Sequence, residues 1–409
     1  MARQYLQALP WSTKSAFAKE KFDNHEGPND EAMNMRISKR SALARGFAPF
    51  DVSSARKGIN FGYALPDPVM FAELPWPDAF DGRTGVASAD LPQYTDSAGL
   101  PELRTKLALR YGVGRDQVML TGGASQALQL LADGWIDPGD VVLTEDPSYL
   151  GALRMFSIAG ATVVQLGMAA EGVDLNEVEA ILQTSTRVKL FYTMPAFHNP
   201  TGHRMSYDYV AKLAALLARS GALLVQDLVY SELPYNGPAH WLAPGNNVVN
   251  VHSISKIAGP GLRVGWVLAE SDIINGLAHL KRDGGVSPLL SNVVLGLLKS
   301  SALDSHITRL REHYRAKRDG VHRLLQRSRI CEPGYRVPSG GFSFWVRLTA
   351  GTDPERFIEA ASHEHDVHLI NGRSYGPRSG RHVRLCFSYL PMSLIERGLD
   401  RLDDLHSNL

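Results

Sequence analysis

The 409-residue chain is short of the features that mark several large protein classes. It has two cysteines, Cys331 and Cys386, too few for a disulfide framework or a structural zinc site. No apolar run approaches the roughly 18 residues needed to span a bilayer, and the opening MARQYLQALPWSTK lacks the continuous apolar core of a signal peptide. A reducing cytoplasm is the expected compartment. Net charge is nearly absent: 43 Lys and Arg against 42 Asp and Glu leave +1, so no global field recruits nucleic acid or an acidic membrane surface. Internal repeats, low-complexity tracts and Gly/Ser linkers are missing too. What remains is an average globular composition, 44% hydrophobic and 21% charged. The chain is too long for one core, which stops growing at about 250–300 residues, so two domains sharing one site are expected.

The pattern along the chain supports this division. Residues 1–58 are polar and irregular, with KFDNHEGPND in the middle, and read as an N-terminal arm plus part of a small domain. From Asp116 short β-branched or apolar runs (QVML, DVVLTE, ATVVQL, VKLFYT, ALLVQD, NVVNVHS, RVGWVLAE) alternate with helical patterns such as SQALQLLADGW and YVAKLAALLARSG. Such alternation predicts βαβ units and a mostly parallel sheet covered on both faces, so residues 59–297 read as a large domain of the α/β class. Beyond it, SHITRLREHYRAKRDGVHRLLQRS predicts a long charged helix, and GFSFWVRL, DVHLI and RHVRLCFSYL alternate like strands of a separate sheet. Residues 298–409 read as a smaller α+β domain packed directly on the first.

In open α/β sheets ligands collect beyond the carboxyl ends of strands, so the residues just after each apolar run carry the information. QVML is followed by Thr121-Gly122-Gly123-Ala124-Ser125 and a helical pattern. A glycine turn feeding a helix N-terminus attracts a phosphate; the plainer reading is a tight turn in which Ser125 caps the helix. VKLFYT leads into Met194-Pro195-Ala196-Phe197-His198-Asn199-Pro200-Thr201-Gly202, where two prolines restrict the backbone and set the direction of the Asn199 amide, unless the stretch is only a turn. ALLVQ ends on Asp227, with Tyr230 three residues on. An acid after a buried strand pairs with a cation, is solvated or caps a helix. NVVNVHS runs into Ser253-Ile254-Ser255-Lys256, then Gly259-Pro260-Gly261 and Arg263. A lysine at such an end is seldom structural, because burying an ammonium is costly unless it is paired or deprotonated. Together these ends offer an anion cradle, a carboxylate, a phenol, an amide and one amine, the groups that hold pyridoxal 5′-phosphate.

These motifs, in this order and spacing, resemble the aspartate-aminotransferase superfamily of fold type I, and within it the branch of 2-aminoadipate and kynurenine aminotransferases, from about Met35 to Leu402. The resemblance implies an enzyme that transfers an amino group between an L-amino acid and a 2-oxo acid. It implies that Lys256 of S-x-S-K is the Schiff-base residue, and that Arg263, with Gly123, Ala124, Ser125, Ser253 and Ser255, binds the cofactor phosphate. Asn199 and Tyr230 would bind the ring oxygen and Asp227 the ring nitrogen, while Tyr149 of Asp146-Pro147-Ser148-Tyr149 would stack on the ring. Tyr94 of Gln93-Tyr94 would reach the phosphate of a neighbouring subunit, which implies a homodimer. Arg384 would clamp the substrate α-carboxylate, a task suited to a planar fork of donors.

Two stretches depart from the family pattern. Relatives in this branch carry a glycine pair before Leu-Pro where this chain has Tyr63-Ala64, and Pro-Gly where it has Asn371-Gly372-Arg373-Ser374-Tyr375. Both fall on the substrate side, so Tyr63 is expected in the pocket wall and the substrate is left open. A lyase, decarboxylase or oxidative deaminase on the same scaffold is the alternative reaction, and a non-catalytic sensor the alternative class. Other signals are discounted. Gly259 to Gly265 looks like a dinucleotide fingerprint but runs into a strand instead of a helix. His363, His365 and His368 have no partners for a metal geometry, so no metal is expected. His198 and His203 read as surface residues or a layer behind the site, with substrate contact the less expected role.

Overall fold

The computed structural model describes residues 38–47, 58–74, 76, 91–237, 245–300 and 302–408. KFDNHEGPND therefore lies outside the described residues. Two short strands, β1 (Ile59–Asn60) and β10 (Val367–His368), pair in parallel across most of the chain's length. Ile59–Asn60, which opens the large domain in the sequence reading, is thus bonded to a C-terminal strand.

The centre is a seven-stranded sheet built from β2 (Val118–Thr121), β3 (Val141–Asp146), β4 (Thr162–Gly167), β5 (Val188–Thr193), β6 (Leu223–Asp227), β7 (Val248–Ser253) and β8 (Gly265–Leu268). Its order is β2-β8-β7-β6-β5-β3-β4, and only β8 runs against its neighbours. Six of the strands are almost entirely buried, as expected of a sheet covered on both faces, and β4 at the edge alternates. The covering helices follow their sequence signals. Helix Tyr207–Ser220 starts where Ser206 accepts a hydrogen bond from the Tyr209 amide and stops at Gly221 in the left-handed region. It buries Val210, Leu213, Leu216 and Leu217, one stripe at helical spacing, against the sheet.

A second sheet has the order β11-β12-β9, from β9 (Ser343–Arg347), β11 (Ile370–Asn371) and β12 (His382–Cys386), all antiparallel. Helices Pro354–His365 and Met392–Asn408 pack with it, and the predicted charged helix runs from Ala302 to Leu325. That long helix is tied to the segment after β1. Lys317, 5% exposed, donates to Asp67 Oδ2 at 2.9 Å and to the Ser388 carbonyl at 2.7 Å. The Asp67 amide donates to Tyr314 Oη at 2.8 Å, and His313 Nε2 lies 3.0 Å from Asp67 Oδ2. Burial pushes the Asp67 carboxyl up, but the His313 and Lys317 hydrogen bonds and the Lys317 charge outweigh this and hold it at about 2. Ser388 Oγ donates to the Leu65 carbonyl at 2.5 Å, fixing the same segment from the other side.

Asp67→Asn should leave the Lys317 ammonium buried without its counter-charge, lowering stability by about 3 kcal/mol at neutral pH. Because the folded carboxyl titrates at about 2, below its unfolded value of about 3.9, the contribution is present above the unfolded value and lost as pH falls through the folded one. Denaturant midpoints of the two proteins should therefore converge as the pH drops below about 4. A gap that stays constant into acid would contradict this account of Asp67.

Candidate active site

The carboxyl ends of adjacent strands build the site. Two of them meet the amino end of the antiparallel β8 at the proposed phosphate cradle: Thr121 and Ser253 both register with Gly265. Gly265 lets the backbone pass, since a Cβ there would stand 2.8 Å from the Gly123 backbone and from the His252 carbonyl. Gly123, at φ +90°, begins helix Ala124–Trp135, and Arg263 reaches across to donate through Nη2 to the Gly122 carbonyl at 2.6 Å. A side chain at Gly123 would meet that guanidinium at 3.0 Å. The glycine turn and the arginine thus close on each other. Ser253 Oγ donates to Ser255 Oγ at 2.8 Å beside them. Ser125 does not cap the helix: Gly123 holds the cap position, and Ser125 is an exposed residue of the first turn.

Lys256 follows β7 through a single turn of 3₁₀ helix, Ile254–Lys256. Its Nζ donates to the Ala64 carbonyl at 2.8 Å and lies 5.6 Å from the Tyr230 ring centre and 5.8 Å from that of Phe342. Burial brings the amine down to about 8; Arg384 pushes the same way, while Cys386 and Asp227 oppose it. Asp227, 2% exposed, caps no helix. It accepts from Tyr192 Oη at 3.0 Å and from the Val229 amide at 3.3 Å, and burial raises it to about 6 against those hydrogen bonds and the Lys256 charge. Tyr230 is buried edge-on against Phe342, ring centres 5.2 Å apart. Tyr149, half-buried, is raised by burial and by the Asp227 charge.

Arg384 comes from β12 of the second sheet and is 6% exposed. Its Nη1 donates to Asn199 Oδ1 at 2.8 Å and its Nη2 to the Gly62 carbonyl. Its Nε is buried with no hydrogen-bond partner among the described residues. The guanidinium carbon lies 5.2 Å from the Tyr375 ring centre, so the departing segment Asn371–Tyr375 supplies the platform under the fork. The other departing segment is engaged too: the carbonyls on either side of Tyr63, from Gly62 and Ala64, receive Arg384 and Lys256, and Tyr63 itself is half-buried. Tyr94 is 89% exposed and faces out of the subunit, its ring lying over the Gly284 backbone.

These donors suit pyridoxal phosphate: a glycine and arginine cradle with no room for a side chain, an amine bonded only to a carbonyl, and an unspent buried guanidinium N–H. Residues 83–402 match the family described as aminotransferase class I and II. The chain belongs to this family. It is 30% identical over 391 residues to aromatic-amino-acid aminotransferase 1 of Thermococcus litoralis, covering 91% of this chain and 92% of that one. Its fold is similar to that of the α-aminoadipate aminotransferase LysN from Thermus thermophilus, solved with N-(5′-phosphopyridoxyl)-L-leucine: TM-score 0.80, 27% identity, 91% and 97% of the two chains covered. The kynurenine aminotransferase of Pyrococcus horikoshii, solved with pyridoxamine phosphate, gives TM-score 0.80 and 27% identity over 93% and 96% of the chains. The protein is a fold type I aminotransferase, dependent on pyridoxal 5′-phosphate, and acts on an amino acid and a 2-oxo acid. Among the described residues no helix is long and apolar enough to cross a membrane, and no cluster could hold a metal ion.

Sequence reasoning overlooked several groups around this aminotransferase site. Tyr192 sits one residue before the end of VKLFYT, so a rule that reads only the residue after a strand passes over it. Glu145, fully buried at the end of β3, accepts from Thr193 Oγ1 and from Thr144 Oγ1 at 3.1 Å, and burial raises it to about 7. Its position is the kind that singled out Asp227. His198 and His203 are 1% and 3% exposed, so of the two expected positions, the surface or a layer behind the site, the surface one does not hold for either. His198 bonds Thr201 Oγ1 through Nδ1 at 3.0 Å inside the turn that presents Asn199.

Proposed function

We propose that Lys256 is the residue to which the cofactor is attached, that Asp227 faces its ring nitrogen, and that Arg384 with Asn199 receives the substrate α-carboxylate. The observation that carries this reading is the convergence of three separate chain stretches on Lys256 and Arg384: the 62–64 carbonyls, the 227–230 turn and β12. Gly123, Ala124, Ser125, Ser253, Ser255 and Arg263 form the phosphate end, Tyr149 covers the ring face, and Tyr230 and Asn199 serve the ring oxygen. Bound there, pyridoxal phosphate supplies an aldehyde that condenses with amines and a ring that accepts electrons from the substrate α-carbon.

The chain's own groups do the rest. Lys256, with its amine at about 8, holds an appreciable neutral fraction near neutral pH and moves a proton away from the substrate α-carbon. Asp227, at about 6, is mostly ionised there, so its charge keeps the ring nitrogen protonated, and Tyr192 fixes its orientation. Arg384 keeps Nη1 on Asn199 and exchanges the Gly62 carbonyl for the carboxylate, with Nε as a further donor. Large side chains fit best as donors, because Tyr149, Tyr230 and Tyr375 lie around the clamp and the named relatives act on aromatic amino acids, aminoadipate and kynurenine.

Single-turnover product analysis tests the reaction: an amino donor should yield its 2-oxo acid and pyridoxamine phosphate, and release of CO₂ or ammonia would contradict transamination. Arg384→Ala should lose on the order of 2–5 kcal/mol in kcat/KM, and Arg384→Lys should recover only part, since lysine keeps the charge but not the fork. Unchanged turnover in Arg384→Ala would remove the clamp.

The exposed Tyr94 ring is proposed to complete the phosphate site of a second copy, in a cytoplasmic homodimer whose two free cysteines stay buried and reduced. Sedimentation should give a dimer at micromolar concentration, and an active monomer would contradict it.

A further inference from the structure

The cradle sits at the ends of β2, β8 and β7, on one flank of the large sheet. On the opposite flank, beyond the ends of β3 and β4, lies a cavity of about 640 Å³ closed from the other side by the second sheet. Asp146 and His203 line it from the large sheet; Trp345 and His382 from the small one; Arg336, Arg347 and Arg378 ring it. None of these residues is given a part in holding cofactor or substrate above.

Both acids of the cavity are already engaged. Glu332 accepts from Arg381 at 2.8 Å and pairs with Arg347 at 3.4 Å. Asp146 accepts from the Arg378 amide at 3.0 Å and from Ser379 Oγ at 3.3 Å, and its burial raises it toward the neutral form. Donors are left over. His203 is 3% exposed, and neither ring nitrogen meets hydrogen-bond geometry among the described residues, although Glu171 acts on the ring through its backbone and its charge. His382 Nδ1 is likewise buried with no partner of hydrogen-bond geometry among the described residues, although the Ser379 backbone acts on the ring, which lies parallel to Trp345 at 5.2 Å. An unpartnered polar side chain buried this deeply costs free energy unless something else bonds it, and of the charges that act on His203 that of Arg336 outweighs that of Glu171.

We propose that this cavity is a second, non-catalytic binding site for a small anion of the carboxylate or phosphate class, held by Arg336, His203 and His382. Its occupant bridges the two sheets beside the clamp. Trp345 registers with Arg384 across β9 and β12, and its ring meets Tyr375 edge-on at 5.5 Å, the same Tyr375 that lies under Arg384. On the other wall Thr201 holds His198, the residue before Asn199. The coupling rests on the clamp reading above; the binding does not.

The test uses the holoprotein, whose cofactor already fills the phosphate cradle. Binding of orthophosphate and of glutarate is measured separately by calorimetry, and the tighter of the two identifies the class. One saturable site per chain is expected, retained in Arg384→Ala and weakened about ten-fold or more in Arg336→Ala, the effect of losing one charge-assisted contact. Arg336 makes no hydrogen bond or ion pair among the described residues, so its substitution should leave anion-free turnover unchanged. No saturable binding of either anion, binding indifferent to Arg336→Ala, or binding abolished by Arg384→Ala would each overturn the site. A saturating anion should shift KM for the amino donor with little change in kcat. An unmoved KM with binding intact would overturn the coupling alone.

Discussion

Lys256 stands one 3₁₀ turn beyond a buried strand with its amine on a carbonyl oxygen, and the nearby carboxylate, Asp227, is held by Tyr192 and the Val229 amide. That separation governs the chemistry available to the site. If Asp227 and Lys256 closed into a tight ion pair, the pair would stabilise the ammonium and leave no nucleophilic amine near neutral pH. Kept apart in a buried setting, the acid moves up and the amine moves down, which is the arrangement in which two titratable groups serve different roles. The aromatic walls from Tyr230 and Phe342 provide the low-polarity setting that makes the separation effective.

The second requirement is that Arg384, on a different sheet, meet the same point. The segment after β1 does this with backbone atoms: Gly62 and Ala64 offer carbonyls to Arg384 and Lys256, and Asp67 a few residues on is anchored to Lys317, His313 and Tyr314. One short stretch therefore ties the long helix, the strand-end lysine and the clamp together. Its own strand is only two residues long, so its position depends on those ties rather than on a ladder.

The parts of this arrangement legible in the sequence are those with a periodic or positional signature. Seven apolar runs at regular spacing gave the large sheet, and reading the residues beyond them found Asp227, Lys256 and Arg263. Arg384, Tyr149 and Tyr94 came from the family resemblance, because nothing in local pattern marks an arginine inside an alternating strand. Backbone acceptors such as the Gly62 and Ala64 carbonyls have no signature at all, and the parallel pairing of Ile59 with Val367 links residues too distant for any window to relate. The burial of His203 and His382 arises where the two sheets meet, which no single stretch of sequence encodes.

The most direct measurement is borohydride reduction of the purified holoprotein followed by peptide mapping. The account predicts a single pyridoxyl group on Lys256, in the peptide that joins β7 to β8. A pyridoxyl group on any other lysine would contradict it and dissolve the roles assigned to Asp227 and Arg384.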